Sequence, residues 1–273
     1  MTEKPLISIV TACLNSEKTI RTTIESVLNQ TYKNYEYVIK DGGSKDSTLD
    51  IAREYEAAFG GRLRIVQQKD KCMYEAMNQG IQMTTGDIIG IINSDDYYSP
   101  ETLERVAALY EAADTDLLVV IGDMERVSET GELIYRYHFT QDMVDRKDCF
   151  GHPSMFAARA VYDRIGLYDT SYKLAADGDW QYRAMEDEAV KVVLCPEVFN
   201  HMREGGASDL PKYRWLWFKE RSRMRLEHKR GSKAKIYLSE FKKVLVTDMK
   251  SLVPKGWQNA LYKLKYELMK GAK

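Results

Sequence analysis

The chain has 273 residues, 44% hydrophobic and 30% charged, enough apolar material for one large domain with or without an appendage. No run reaches 18 apolar residues, the densest being IIGII (88–92) and LLVVI (117–121), which excludes a membrane-spanning helix. The net charge of -1 hides a division: residues 1–202 carry 21 Lys+Arg against 34 Asp+Glu, and residues 203–273 carry 19 against 7, so a basic tail follows an acidic body and calls for an anionic surface or partner.

The start, MTEKPLISIV, lacks the basic region, apolar core and cleavage site of a signal peptide. Cys13, Cys72, Cys149 and Cys195 are dispersed without a CxxC pair, against a zinc site or a disulfide framework. A cytoplasmic protein with free thiols is expected.

In chain order, β-branched apolar runs alternate with amphipathic stretches, the mark of βαβ units and a mainly parallel sheet. LISIVTAC (6–13) predicts a buried strand, and Asn15 or Ser16 a cap for the helix carrying Ile20, Ile24, Val27 and Leu28. YEYVIKD (35–41) is the second strand; Asp46 or Ser47 caps the helix that follows. RLRIVQQ (62–68), a helix over 74–83 and DIIGIIN (87–93) come next, and Pro100 opens a further helix. DLLVVIGD (116–123) closes the first half. Strands are expected near 133–137 and 154–158, a helix over 177–187, and two short strands at 191–196 and 198–202. The pattern is helical beyond Lys212. YRWLWFKERSRMR (213–225) interleaves aromatic residues with arginines; from Tyr237, the residues Phe241, Val244, Leu245, Met249, Leu252 and Val253, and after Pro254 and Gly256 the residues Trp257, Leu261, Leu264 and Leu268, keep helical spacing opposite cationic faces. Such helices lie in a membrane interface or pack on a protein surface. No nucleic-acid module accompanies the basic residues, so nucleic acid is not an expected partner.

In an open parallel sheet, ligands bind beyond the carboxyl ends of the strands. Those ends carry Thr11 to Asn15, Asp41 to Ser44, Asp70 and Asn93 to Asp96. Asp41-Gly42-Gly43 can be simply a turn, and Asp95-Asp96 a cap and a solvated acid. Together they make an oxygen-rich corner that a hard divalent cation would relieve, with substrate phosphates completing its shell. Neither GxxxxGK[ST] nor GxGxxG occurs, so phosphate would be held without those loops.

The order ISIVTACLNSEKTIRTTIESVLNQTYKNYEYVIKDGGSKDST, DKCMYEAMNQGI, INSDDYYSP, GHPSMF and LAADGDWQYR resembles glycosyltransferase family 2, over residues 5 to about 206. The resemblance implies an α/β, GT-A (Rossmann-like) nucleotide-sugar-binding domain over 1–206, with a nucleotide-binding half (1–123) and an acceptor-side half (124–206); the basic amphipathic helical extension (207–273) lies beyond it, and its charge and spacing make it a membrane-association region or a surface that packs on protein. The resemblance implies a metal-dependent inverting enzyme, hexosyl- or N-acetylhexosaminyl-transferring, acting from a nucleotide-diphosphate sugar, UDP-linked, onto a hydroxyl of a glycan or polyprenyl-linked glycan in surface polysaccharide synthesis, peripheral on the inner face of the membrane. Thr11, Asp41 and Asp70 would contact the nucleoside, and Asn93-Ser94-Asp95 stands at the metal motif, with Asp95 as ligand to Mn²⁺ or Mg²⁺ and Asn93 in place of its first acid. Cys72 stands where many relatives have glycine. Asp177 is the expected base and Asp179 its reserve, a pair whose mutual repulsion and burial would raise the base's pKa. His152, His201 and Trp180 are expected on the acceptor or diphosphate side, Trp180 stacking on a sugar or packing in the core. A non-catalytic nucleotide-sugar-binding scaffold is the alternative, motivated by Asn93 and Ala176; nucleotidyl transfer would want a glycine in TACLNSEKT, which has none.

Overall fold

A computed structural model describes residues 4–206, 210–251 and 257. It shows why the first half was readable. Strands β1 (Ile7–Cys13), β2 (Tyr35–Asp41), β3 (Leu63–Gln67) and β4 (Ile88–Ile91) are parallel neighbours in the order β3-β2-β1-β4. Every residue of β4 and nearly every residue of β1 and β2 is buried, as expected for strands covered on both faces. The connecting helices are α1 (Ile20–Leu28), α2 (Thr48–Arg53), α3 (Glu56–Phe59) and α4 (Met73–Gln82).

The rest of the sheet is antiparallel where register is defined. After β5 (Tyr97–Tyr98) and α5 (Thr102–Glu111) come β6 (Leu118–Val127) and β7 (Leu133–Tyr137), joined by a turn in which the Ser128 N–H donates to the Glu132 carbonyl (2.8 Å). Then follow α6 (Gln141–Asp145), β8 (Met155–Ala158), α7 (Arg159–Ile165), α8 (Ala176–Glu186) and β9 (Lys191–Arg203). The sheet continues β4-β8-β6-β9-β5, with β7 on β6; β8 runs against β4 and β6, and β5 against β9. The parallel character expected of the whole sheet thus belongs to β1 to β4.

Three local expectations are corrected. Asn15 and Ser16 do not cap α1 through their side chains: the helix begins at Ile20, and these residues bond across to the 44–48 segment instead. The two strands expected at 191–196 and 198–202 are one, β9, with Pro196 inside it. Pro100 precedes α5, whose first helical residue is Thr102.

The chain forms two compact units, one of residues up to Met124 with His138–Met202, the other of Glu125–Tyr137 with the chain from Arg203 onward. The hairpin 125–137 falls in the second unit. In the first unit Ile7, Ile9, Ile24, Tyr37, Phe59, Ile92, Phe156 and Phe199 share one core. In the second, α9 (Arg214–Glu227) packs on α10 (Lys233–Ser251), burying Met224, Ile236 and Val244. Leu252, Val253, Pro254, Gly256, Leu261, Leu264 and Leu268 lie outside the described residues.

Gly90 of β4 sits under Phe156, and a methyl group there would run into that ring. Overpacking at such a site costs roughly 1–3 kcal/mol, so Gly90→Ala is expected to lower the unfolding free energy by that amount, read as a lower urea midpoint with an unchanged slope of the transition.

Candidate active site

Parallel register sets the site's geometry. Cys13 is level with Asp41, Asp41 with Gln67, and Val10 with Ile91, so the segments after β1, β2, β3 and β4 leave the sheet along one edge. β8 runs the other way, with Phe156 opposite Gly90, so the residues just before β8 reach the same edge.

Hydrogen bonds lace these segments together. The Gly42 N–H donates to the Cys13 carbonyl (2.9 Å), the Asn15 N–H to Ser44 Oγ (2.8 Å), the Ser16 N–H to Thr48 Oγ1 (2.7 Å) and the Lys45 N–H to Asn15 Oδ1 (2.9 Å). Asp41, entirely buried, shapes the turn: its Oδ1 accepts the N–H groups of Gly43 and Ser44, each at 2.8 Å, and its Oδ2 accepts the Ser44 hydroxyl. Beneath it, burial and the charge of Asp41 push the Cys13 thiol up, so it stays neutral. Gly42 is required for close approach, since a Cβ would lie 2.6 Å from Asp70 Oδ2. The buried Lys40 ammonium donates to Asp70 Oδ2 (3.2 Å) and to the carbonyls of Asp41 (3.2 Å) and Gln68. Asp41 and Asp70 are therefore brought to the same corner of the rim. The side chain of Thr11 is not offered to a ligand: it is fully buried with its hydroxyl 2.9 Å from Tyr37 Oη, because its position in β1 faces inward.

At the end of β4, Ser94 Oγ lies 2.8 Å from Ser16 Oγ, and Asp95 is partly exposed. Asp96 turns inward, 1% exposed, and accepts from Asn93 Nδ2 (3.0 Å). The two adjacent acids do not converge into one corner, contrary to expectation, since Asn93 draws the second one away. The other end of the Asn93 amide reaches His152, Oδ1 to Nε2 at 3.2 Å. An amide oxygen only accepts, so Nε2 carries the proton in that bond.

His152 lies in the 3₁₀ turn His152–Ser154 before β8, and its Nδ1 is 3.5 Å from Asp177 Oδ2. Asp177 sits in the first turn of α8, where a carboxylate is favoured by the free N–H groups of a helix N-terminus. Its Oδ1 accepts from the Tyr74 hydroxyl of α4 (2.7 Å). Tyr74 is itself fixed by ring contact with Tyr168 (5.6 Å), whose backbone both donates to and accepts from the Asn78 amide on the same helix. Burial alone would raise the pKa of Asp177, but hydrogen bonds from His152, Tyr74 and the Gly178 N–H, together with the His152 charge, outweigh it and hold the carboxyl below its ordinary value. The expected rise is thus reversed.

Asp179 is not a second acid of this site. Two residues apart on a helix, the pair point to nearly opposite sides; Asp179 is 7% exposed and held by Arg183 one turn on (2.9 Å). Trp180 offers no face to a sugar: it is 0% exposed, stacks near Tyr162 (4.6 Å) and donates Nε1–H to the Gly166 carbonyl (2.9 Å). His201 stands on β9 opposite Tyr97, stacked at 4.6 Å, with Nε2 3.0 Å from Ser99 Oγ; it belongs to the β9–β5 edge. Cys72, before α4, has ordinary extended backbone (φ -164°, ψ 164°), so the replacement of glycine there costs nothing in conformation.

The profile of glycosyl transferase family 2 matches residues 8–166. A PGL/p-HBAD biosynthesis glycosyltransferase of Mycobacterium tuberculosis is 33% identical over 188 residues, covering 68% of this chain and 72% of that protein. The chain belongs to glycosyltransferase family 2. The fold agrees: S. aureus TarS 1–349 in complex with UDP-GlcNAc superposes with a TM-score of 0.65 at 19% identity, over 86% of this chain and 71% of that one. The mannosyltransferase PcManGT of Pyrobaculum calidifontis, in complex with GDP-Man and Mn²⁺, does so with 0.62 at 17% identity, over 100% and 77%. Full-length TarS is longer, and the chain covers 39% of it. The sheet of this glycosyltransferase is therefore the GT-A sheet.

Among the described residues no three His, Cys, Asp or Glu side chains gather as a preformed metal cage. Asp95 fits a hard cation only as one carboxylate whose remaining partners come from a bound diphosphate and water, the usual mode for Mg²⁺. Tyr74 is the residue of this family 2 glycosyltransferase that sequence reasoning passed over; the motif DKCMYEAMNQGI contains it, but its partner lies 103 positions away.

Because its pKa is lowered, Asp177 is expected to remain a carboxylate from pH 9 down through pH 5, and the stability it contributes is full above the ordinary carboxylate range and lost as acid protonates it in the folded state. Carbon-detected NMR titration of the carboxyls checks this. Tyr74→Phe removes a donor to the anion and should move that titration upward.

Proposed function

We propose that this glycosyltransferase moves one hexosyl or N-acetylhexosaminyl unit, with inversion, from a nucleotide-diphosphate sugar to a hydroxyl of a glycan or lipid-linked glycan, in polysaccharide or glycolipid assembly. UDP is the proposed nucleotide. The observation that carries this reading is the continuous contact from Asp177 through the His152 ring to Asn93, which ties a carboxylate suited to act as base to the segment that bears Asp95. The mycobacterial relative is named for glycolipid-type biosynthesis (PGL/p-HBAD), and the TarS and PcManGT structures contain UDP-GlcNAc and GDP-Man, which supports a nucleotide-sugar donor.

In the proposed reaction the acceptor hydroxyl lies against Asp177. Its oxygen forms a bond to the anomeric carbon, its proton passes to the Asp177 carboxylate, and the bond from that carbon to the diphosphate oxygen breaks, the electron pair leaving with the nucleoside diphosphate on the opposite face. Tyr74 and His152 hold the carboxylate in place; neither takes the proton in this scheme. A carboxylate held below its ordinary pKa is a weak base, but it is fully ionised at neutral pH, and an oxocarbenium-like transition state makes the hydroxyl acidic only late in the attack. Asp95 is the proposed ligand of Mn²⁺ or Mg²⁺, an ion that supplies neutralisation of the leaving diphosphate. Asp70 and the backbone of the Asp41–Ser44 turn are the proposed nucleoside contacts, with Asn93 and Ser94 beside them.

Asp177→Asn, which keeps the shape of the side chain, is expected to bind donor normally and to transfer at least 10²-fold more slowly, the scale of general-base catalysis; near-normal transfer would refute the assignment of the base. Calorimetry with UDP, GDP, CMP and dTDP should find one nucleotide, UDP, bound with metal dependence, and Asp95→Ala should abolish the metal dependence. Absence of binding by all four with either ion would refute the donor assignment.

A further inference from the structure

The second unit carries most of the large apolar side chains that the fold leaves exposed. Among the described residues of α9 and α10 these are Trp215, Tyr237, Leu238, Phe241, Leu245 and Val246, the first 57% and Phe241 40% exposed. They are not scattered. Tyr237, Phe241 and Leu245 recur every four residues along α10, and Trp215 and Phe218 of α9 meet them edge to edge: Phe218 lies 5.7 Å from Tyr237 and 6.4 Å from Phe241, and Trp215 lies 6.4 Å from Phe241. The result is one aromatic and aliphatic band along the seam of the two helices.

Charge borders this band. Residues 210–251 contain 13 Lys+Arg and 4 Asp+Glu. Of the acids, Glu240 is buried in the helix pair and accepts from Arg221 (3.0 Å), Arg225 (2.7 Å) and Lys243 (2.8 Å), and Glu227 pairs with Arg223 (2.8 Å). Glu240 is thus spent inside the unit, and Lys219, Lys233, Lys235 and Lys242 remain exposed. By helical spacing Lys219 follows Trp215 on one side of the band, and Lys235 and Lys242 lie just beyond Leu238 on the other. An apolar stripe rich in aromatic rings with lysines along both margins is the pattern of a helix lying in the headgroup layer of a bilayer, rings in the acyl boundary and ammonium groups among lipid phosphates.

The geometry points to this face as a docking surface for an anionic lipid bilayer. A second copy of the chain fits it poorly, because a symmetric contact would set a segment with 13 basic and 4 acidic residues against itself. This inference is independent of the donor site and the base: it concerns where the enzyme works, and nucleotide binding reports on the other.

The test is co-flotation of the full chain with vesicles of phosphatidylcholine alone and of phosphatidylcholine with phosphatidylglycerol. Binding to the anionic vesicles only, weakened by salt, is expected. Trp215→Glu with Phe241→Glu should reduce it at least tenfold, and Lys219→Glu with Lys242→Glu by more than tenfold, since each basic residue near such a surface contributes about fivefold. Unchanged UDP affinity and circular dichroism show that a variant has folded; Leu245→Glu, a single change at a half-exposed position of the band, provides a second reading if the double variant has not. Equal binding to both vesicle types, no binding, or wild-type binding by both Leu245→Glu and the lysine variant overturns the proposal. So does a dimer in sedimentation equilibrium that Leu245→Glu dissociates, which would assign the face to a second copy.

Discussion

The site depends on one imidazole. His152 spans the gap between the end of β4 and the start of α8, giving its Nε2 proton to Asn93 and facing Asp177 with Nδ1. These groups come from parts of the chain with no local reason to meet, and only the antiparallel return of β8 beside β4 delivers the ring to the right edge. Remove that register and the carboxylate loses the partner that, with Tyr74, overrides the cost of its burial.

A second economy appears along the rim at the carboxyl ends of the parallel strands. Asp41, Lys40, Asp96 and Thr11 are all buried, and each has its polar atoms met by neighbours along the rim. Buried polar groups are tolerable only when satisfied in this way, and a satisfied network is rigid. The rim is therefore an organised floor before any ligand arrives, with Asp95, Ser94 and Asp70 as the more accessible members. Preorganisation of this kind reduces the ordering cost of binding a flexible ligand.

How far the sequence spoke for the structure varied with distance along the chain. β1 and β4 announced themselves because strands buried on both faces read as apolar runs, and LISIVTAC and DIIGIIN are nearly that; β2 did so through the aromatic and β-branched residues of YEYVIKD, although Lys40 and Asp41 are buried with them. β7 fell at the expected 133–137. β9 was harder: a proline suggests a break because it cannot donate to a ladder, yet Pro196 is accommodated within one long strand. Asn15 and Ser16 have the chemistry of helix caps, and nothing local reveals that their partners are residues 44–48. The same limit governed the site. Asp177 stood out through its motif, but its pKa was misjudged by counting the neighbouring acid Asp179, whereas the deciding groups are donors, His152 and Tyr74, far off in sequence. Trp180 could be read either way until its complete burial settled it.

The second unit is discontinuous, and that has a consequence for synthesis. The hairpin 125–137 is made well before its companions from Arg203 onward. With translation at about 5–20 residues per second, the intervening residues 138–202 take several seconds to emerge. Through that interval Val127 and Ile134, both buried at the end, lack much of the unit to which they belong. The first unit can close its sheet only when β9 is complete, and β9 ends at Arg203, where the second unit resumes. Vectorial folding therefore has a built-in pause: neither unit can be finished until the ribosome has passed the same point, and a chaperone that shelters the nascent chain would have a defined window in which to act.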